Sequence, residues 1–443
     1  MMINRIKRWV ESLPEPVAYL AAKVPFGVRL GPGYVAASRS VEMISSLRQA
    51  DYEDWVFKKL AALVDHAYDT TALYKEKLDR VNYIPGGLRS LDHFESLPIV
   101  TKSDMRQTDV ASRMTTAQRF FKVNTGGTSG SPLEFLLDDA AYAREWAHMH
   151  WIWKSCGYRP DHVKLTFRGR RAKTGVLQFN PVHNEYWVNS LAPISAVVEA
   201  IDKLISRVDV RWVHGYPSLI AEFCTALENE GRTTQSRLRR MLRGVLLGSE
   251  NPVPMYRERI ERVLSENCVS WYGHSEMAIL AWESARGCYE PMPSYGYCEV
   301  VADGDSPGLG RLVVTSLHNR VHPFIRYDTG DRVQIIDGRR GRPSFAIVEG
   351  RVGDFVTDRE GRRHSLTAII FGRHHRGFAL VEHVQVEQLV PGEATLIVVP
   401  RDPSLGAHQI EDGFDLQDIP MRWSLRIVSE PIRSELGKIL LKV

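Results

Sequence analysis

Val210-Arg-Trp-Val-His-Gly215, a run from Ser218 to Glu230, Leu242-Arg-Gly-Val-Leu-Leu-Gly248, a run from Pro254 to Glu266 and Cys268-Val-Ser-Trp-Tyr-Gly273 follow one another along the chain. The first, third and fifth are apolar blocks of strand length, and the two runs between them carry apolar residues three and four apart. Strand, helix, strand, helix, strand predicts a parallel sheet with crossover helices. Ligands of such sheets bind beyond the carboxyl ends of the strands. Each strand here ends in a polar or aromatic cluster: His214-Gly215-Tyr216-Pro217, Gly248-Ser249-Glu250 and Tyr272-Gly273-His274-Ser275-Glu276. Three strand ends thus converge on one candidate site.

Upstream, residues 1–95 read as helical, with apolar positions three and four apart from Tyr52 to Leu63 and breaks at Pro25 to Tyr34 and Pro85 to Gly87. The opening Asn4-Arg5-Ile6-Lys7-Arg8-Trp9-Val10 reads either as a basic amphipathic helix in peripheral contact with a membrane or as a solvated surface helix. Downstream the pattern turns to β, with strands expected at Tyr297 to Ala302, Gly310 to Thr315, Arg332 to Ile336 and Phe345 to Val348. A smaller unit follows Gly350-Arg351-Val352-Gly353-Asp354, with strands expected at His383 to Leu389, Ala394 to Val399 and Trp423 to Val428. The expected fold class is α/β. A large N-terminal domain, 1–350, has parallel-type sheets, flanking helices and a β-region, and a small mobile C-terminal α+β domain covers 351–443.

The chain has 443 residues, 44% of them hydrophobic and 25% charged, the composition of an ordinary globular protein. Lys plus Arg number 57 against 53 acidic residues, and a net charge of +4 is too small to indicate wholesale nucleic-acid binding. The five cysteines, Cys156, Cys224, Cys268, Cys288 and Cys298, lack the close regular spacing of a disulfide framework or a zinc ribbon. They read as reduced thiols of a cytoplasmic protein. No apolar run approaches ~18 residues and no signal-peptide core opens the chain, so a spanning or secreted protein is not expected.

The densest run of small and hydroxylic residues is Asn124-Thr125-Gly126-Gly127-Thr128-Ser129-Gly130-Ser131-Pro132, directly after the apolar Phe120 to Val123. Glycines let backbone amides turn toward a ligand and hydroxyls add donors, which suits phosphate oxygens; a hairpin loop is the plainer reading. GxxxxGK[ST] and GxGxxG are absent, so this is neither a P-loop nor a standard dinucleotide fold. The hydrolase elbow GxSxG fails as well, because Gly273-His274-Ser275-Glu276 is followed by Met277.

Further signals come in a fixed order: Tyr272-Gly273-His274-Ser275-Glu276, Arg326-Tyr327-Asp328-Thr329-Gly330-Asp331, Gly350-Arg351-Val352-Gly353-Asp354, and Ile432-Arg433-Ser434-Glu435-Leu436-Gly437-Lys438. With the Thr-Gly-Gly-Thr-Ser-Gly run this series resembles the adenylate-forming superfamily of acyl-CoA ligases, adenylation domains and luciferases. Within it, the chain resembles the phenylacetate-CoA ligase-like branch that includes CapK-type proteins of polysaccharide clusters. The resemblance runs from about residue 95 to the C-terminus. The loop has Ser131-Pro132 where many members carry a Lys, and the tail departs from the commoner Arg-Thr-x-x-Gly-Lys.

The resemblance implies ATP-dependent activation of a small carboxylic acid as its acyl-adenylate, with release of pyrophosphate and transfer to a thiol, in the first place coenzyme A. Thr125, Gly126, Gly127, Thr128, Ser129 and Gly130 would grip the phosphates, and Tyr272 would stack on adenine beside Gly273, Ser249 and Glu250. Glu276 would help hold Mg²⁺, Asp331 would take both ribose hydroxyls, and Arg351 would lie beside ribose and phosphate. Asp354 would be the hinge and Lys438 the catalytic lysine. The acid would sit near His214, Tyr216, His274 and Met277. Plainer readings stand beside these: Asp331 closes a turn, Glu276 caps a helix, His274 is a packed histidine, Lys438 is solvated. Two other functions remain open, transfer to an amino sugar, carrier protein or lipid-linked glycan, and a nucleotide-binding scaffold without chemistry.

Overall fold

The computed structural model describes residues 15–115, 119–124, 133–168, 175–189, 192–250, 252–302, 308–349, 355–361, 363–366, 369–370, 375–417, 419–433 and 439–443. The basic opening and the expected boundary from Gly350 to Asp354 lie outside these residues. The chain forms two compact units, one of Met1–Arg29, Trp153–Ser270 and Gly353–Val443, the other of Leu30–Ile152 and Trp271–Val352.

The first unit contains the parallel sheet. Glu185–Val188, Val163–Phe167, Val210–Gly215, Gly244–Leu247 and the start of Cys268–Gly273 pair side by side in parallel, and Leu177–Asn180 adds an antiparallel edge. All four residues of Gly244–Leu247 are buried, as expected for a strand covered on both faces. The crossover helices Pro217–Asn229 and Pro254–Val263 both begin on proline, whose missing amide costs nothing at the first helical position. They bury Ile220, Phe223 and Leu227, and Tyr256, Ile260 and Val263. Gly215 ends its strand at φ +147, where an added Cβ would stand 1.9 Å from the Phe167 carbonyl oxygen. Only glycine fits there.

This unit contains elements beyond the sequence expectation, helix Ile194–Ile205 and strand Leu177–Asn180 among them. Helix Arg232–Met241 was not anticipated, because it buries only Thr234 and Leu238 and its apolar stripe is too thin to read. Val163–Phe167 and Glu185–Val188 escaped notice because they bury polar side chains. Lys164 Nζ lies 3.5 Å from Glu185 Oε2 and donates to the His183 carbonyl at 2.7 Å, and Glu185 also accepts from Thr166, Asn180 and Trp187. The expected C-terminal strands are present as Val381–Val390, Glu393–Pro400 and Arg422–Ile427, the last pair parallel. This segment shares a hydrophobic core with the parallel-sheet segment of the same unit.

The second unit joins helices to an antiparallel sheet. Helix Gln49–Thr70 buries Tyr52, Val56, Leu60, Leu63, Val64 and Ala67, the apolar spacing read from the sequence. The sheet runs in the order Gly296–Ala302, Leu309–Ser316, Tyr327–Asp337, Ser344–Glu349, Cys288–Pro291, Leu280–Ala285, then the end of Cys268–Gly273. The strand expected from Arg332 begins at Tyr327, so most of the Arg326 to Asp331 motif is itself strand. Trp146, Trp151 and Trp153 share helix Ala141–Ser155, with Trp153 fully buried.

Candidate active site

Tyr272, Gly273, His274, Glu276, Met277 and Asp331 fall in the second unit. Tyr272 stands at the end of Cys268–Gly273, with its ring edge-on to Phe345 at 5.6 Å. Its hydroxyl donates a hydrogen bond to Asp331 Oδ2. Asp331 does not close a turn. It lies within Tyr327–Asp337, where Arg311 pairs with Arg332 and Val313 with Asp328, leaving Leu312 alone opposite Thr329, Gly330 and Asp331. Such a bulge re-aims a side chain out of the regular alternation of a strand. Polar bonds fix its shape: Thr329 Oγ1 donates to the Leu312 carbonyl at 2.9 Å, and the Asp331 and Gly330 amides donate to Thr329 Oγ1 at 3.1 Å and Asp328 Oδ1 at 2.9 Å. Arg311 in turn holds Asp328 at 2.6 Å.

Glu276 sits in the connection between Cys268–Gly273 and Leu280–Ala285, with no helix for it to cap. Its side chain is almost wholly buried. Tyr327 donates to Oε1 at 3.3 Å, and His274 Nδ1 lies 3.3 Å from Oε2. His274 is itself buried, edge-on to Tyr272 at 6.1 Å. The next residue in the turn, Met277, has φ +52, and Arg326 has φ +45. Left-handed backbone at residues with bulky side chains costs free energy and is held only where the surroundings over-determine it.

Arg326 shows what over-determines it. Its guanidinium makes three hydrogen bonds to the buried Glu299 carboxylate, at 2.7, 3.1 and 3.1 Å, and another to the Leu97 carbonyl. Its own carbonyl accepts from the Val100 amide at 2.9 Å, and its amide donates to Thr315 Oγ1 at 2.9 Å. The motif's arginine is therefore an anchor that fixes where Tyr327 to Asp331 begin. Sequence reasoning flagged Asp331 and missed the supporting Tyr327, Thr329 and Arg326, although all three stand in the quoted motif. Glu299 had no signal at all.

His214, Tyr216, Ser249 and Glu250 fall in the first unit. His214 is buried against Trp153 with centroids 5.0 Å apart, its Nδ1 3.3 Å from the Leu246 carbonyl, and burial holds its pKa well below the usual histidine value. It packs as a neutral histidine. Glu250 Oε2 accepts from the Ser218 amide at 3.1 Å, so its carboxylate complements the positive end of helix Pro217–Asn229. Ser249, at φ +67, accepts from Arg168 at 3.2 Å, a partner that no sequence signal indicated. Tyr216 is half-buried, and its amide donates to the Phe167 carbonyl at 2.8 Å. Thr125, Gly126, Gly127, Thr128, Ser129, Gly130, Arg351, Asp354 and Lys438 lie outside the described residues. The strands flanking the first of these runs, Phe120–Asn124 and Glu134–Asp138, pair as a hairpin.

The second unit thus brings together a buried carboxylate with a tyrosine hydroxyl on it, and a second buried carboxylate between a tyrosine and a histidine. An ionised carboxylate accepts two strong hydrogen bonds from vicinal hydroxyls. Among the described residues no group of three or more His, Cys, Asp or Glu is arranged to hold a metal ion. A single buried carboxylate such as Glu276 fits Mg²⁺, which is commonly held by one or two carboxylates plus substrate phosphates and water.

No family model matches the chain. Among curated proteins it is 25% identical over 337 residues to the phenylacetate-coenzyme A ligase of Pseudomonas putida, covering 71% of the chain and 72% of that protein. It is 19% identical over 332 residues to Protein CapK of Staphylococcus aureus, covering 72% of each. Among solved structures it is similar to 2-hydroxyisobutyryl-CoA ligase in complex with R3-HIB-AMP, with a TM-score of 0.64, 16% identity and 88% and 89% of the two chains covered. It is also similar to the GH3.15 acyl acid amido synthetase, with a TM-score of 0.53, 12% identity and 83% and 85% covered. These structural likenesses concern the fold. Sequence relatives and motif order agree in their likeness to the phenylacetate-CoA ligases and CapK, and the solved structures agree with the fold expected from that resemblance.

Proposed function

We propose that the protein is an AMP-forming acid–thiol ligase that activates a small carboxylic acid with ATP and passes the acyl group to coenzyme A. The observation that carries this reading is the contact between Tyr272 and Asp331, two residues 59 positions apart that the family resemblance assigns to adenine and ribose. A carboxylate is a poor electrophile, so the acid must first be converted. Its oxygen attacks the α-phosphorus of ATP, the bond to the β-phosphate oxygen breaks, and pyrophosphate leaves with the electron pair. Asp331 orients the ribose, Tyr272 the adenine, and Thr125 to Gly130 with Arg351 the phosphates. Lys438 places positive charge where negative charge builds up on the phosphate oxygens in the transition state. Glu276 would hold Mg²⁺, which would supply charge to neutralise phosphate oxygens. A thiol then attacks the acyl carbon and AMP leaves, with Asp354 as the hinge about which residues 351–443 turn between the two half-reactions.

The acid would lie near His274 and Met277. We assign His214, Ser249 and Glu250 supporting roles at the strand ends, and we assign the protein to the cytoplasm. A second reading keeps the adenylation step and replaces coenzyme A by an amino sugar, a carrier protein or a lipid-linked glycan; the likeness to CapK supports it. Pyrophosphate release, screened over aryl, fatty and amino acids with and without coenzyme A, tests both. Acid-dependent release that accelerates with coenzyme A supports the first reading. Release that coenzyme A does not change supports the second, and nucleotide binding without release overturns both.

A further inference from the structure

We propose that His274 is a second ligand of the metal held by Glu276, and that the pair selects a first-row transition-metal dication over Mg²⁺. The proposal rests on the reading that Glu276 holds the metal of the ATP complex. The turn after Cys268–Gly273 brings the two side chains together: the Met277 amide donates to the His274 carbonyl at 3.0 Å, and Met277 takes φ +52. The side chains of His274 and Glu276 are only 2% and 6% exposed. Tyr327 donates to Oε1 of Glu276, while Oε2 lies 3.3 Å from His274 Nδ1.

That approach is not aligned as a hydrogen bond, and among the described residues neither ring nitrogen of His274 has a hydrogen-bond partner. A buried polar atom without a protein partner calls for one from outside the chain. The spacing fits an ion. Two ligand atoms 3.3 Å apart, each about 2.1 Å from one metal, subtend an angle of about 100° at it, which suits neighbouring positions of a tetrahedral or octahedral shell. With Nδ1 on the metal the ring proton is on Nε2, where an oxygen of the bound acid can accept it. A nitrogen ligand also discriminates among metals. Imidazole suits first-row transition ions, whereas Mg²⁺ keeps to carboxylates, phosphates and water.

The test is pulsed EPR of Mn²⁺ bound to the full chain together with an ATP analogue whose α and β phosphorus atoms are bridged by methylene. The expected result is modulation from a directly bound imidazole nitrogen, which isotopic labelling of histidine nitrogen shifts and His274→Leu abolishes. In calorimetry the same variant should bind Mn²⁺ about tenfold or more weakly and Mg²⁺ within about twofold of wild type, because only the transition ion uses the nitrogen. Without metal it should melt no lower than wild type, since an apolar side chain relieves the buried nitrogens. Bound Mn²⁺ without the nitrogen modulation, modulation that His274→Leu retains, or no Mn²⁺ bound by the wild-type chain overturns the proposal. Pyrophosphate release judges the ligase reading separately: release from a chain whose Mn²⁺ shows no nitrogen overturns this proposal alone, and a nitrogen signal without release overturns that reading alone.

Discussion

The hydroxyl of Tyr272 donates to the buried carboxylate of Asp331, joining the end of one strand to a bulge in another. The bond orients the carboxylate before a nucleotide arrives, so less ordering remains to be done on binding. Asp331→Ala is expected to weaken ATP binding by about 10- to 100-fold, since charge-assisted hydrogen bonds contribute about 1.5–3 kcal/mol each. Tyr272→Phe keeps the ring and loses only the hydroxyl, and its effect should stay below tenfold. Calorimetry checks both, and normal affinity in Asp331→Ala removes the ribose role.

Tyr327→Phe removes the hydroxyl 3.3 Å from Glu276 and leaves the ring in its core. The Mg²⁺ concentration for half-maximal activity should rise about two- to tenfold, the equivalent of one hydrogen bond of about 0.5–1.5 kcal/mol. The rate at saturating Mg²⁺ should barely change. A lower rate at every Mg²⁺ concentration would place Tyr327 elsewhere in the mechanism.

Arg326→Ala leaves the Glu299 carboxylate buried without its cation, and breaking such a pair costs about 3–5 kcal/mol. The urea midpoint should fall accordingly. The double variant Arg326→Met/Glu299→Met, which removes both charges, should recover most of that loss. A single variant within 1 kcal/mol of wild type, roughly the median of an exposed pair, would contradict the anchoring role.

How far the sequence was legible follows from where the side chains point. Val210–Gly215 and Cys268–Gly273 are read to the residue because apolar blocks of strand length bounded by polar ends have one interpretation. Val163–Phe167 and Glu185–Val188 hide the same role behind Lys164 and Glu185, which satisfy each other in the core and make a buried strand look polar. Asp331 was found through its motif. Its bulge, and the contact of Tyr327 with Glu276 51 residues away, depend on strand register, which no local pattern encodes. The packing of His214 against Trp153 is likewise set by tertiary structure and has no signal in the local pattern.

Burial also makes several histidines contribute to the loss of stability in acid, His214 among them. Burial pulls His148, His322 and His383 from 6.5 to about 3 and His318 to about 4. The folded state refuses protons that the unfolded chain accepts, so this stability is full above pH ~6.5 and declines as pH falls toward the folded values, by about 1.4 kcal/mol per pH unit for each histidine. His322→Gln should make the decline between pH 6 and 4 shallower by about that amount. Urea denaturation at several pH values measures it, and an unchanged slope would show that His322 does not contribute.

The claim that one chain carries out two half-reactions is tested most directly in Lys438→Ala, by following pyrophosphate release and thiol acylation separately. The account predicts that adenylation from ATP and acid is lost, while acylation of the thiol from preformed acyl-adenylate largely survives. Equal loss of both steps, or acid-dependent pyrophosphate release at the wild-type rate, would contradict it.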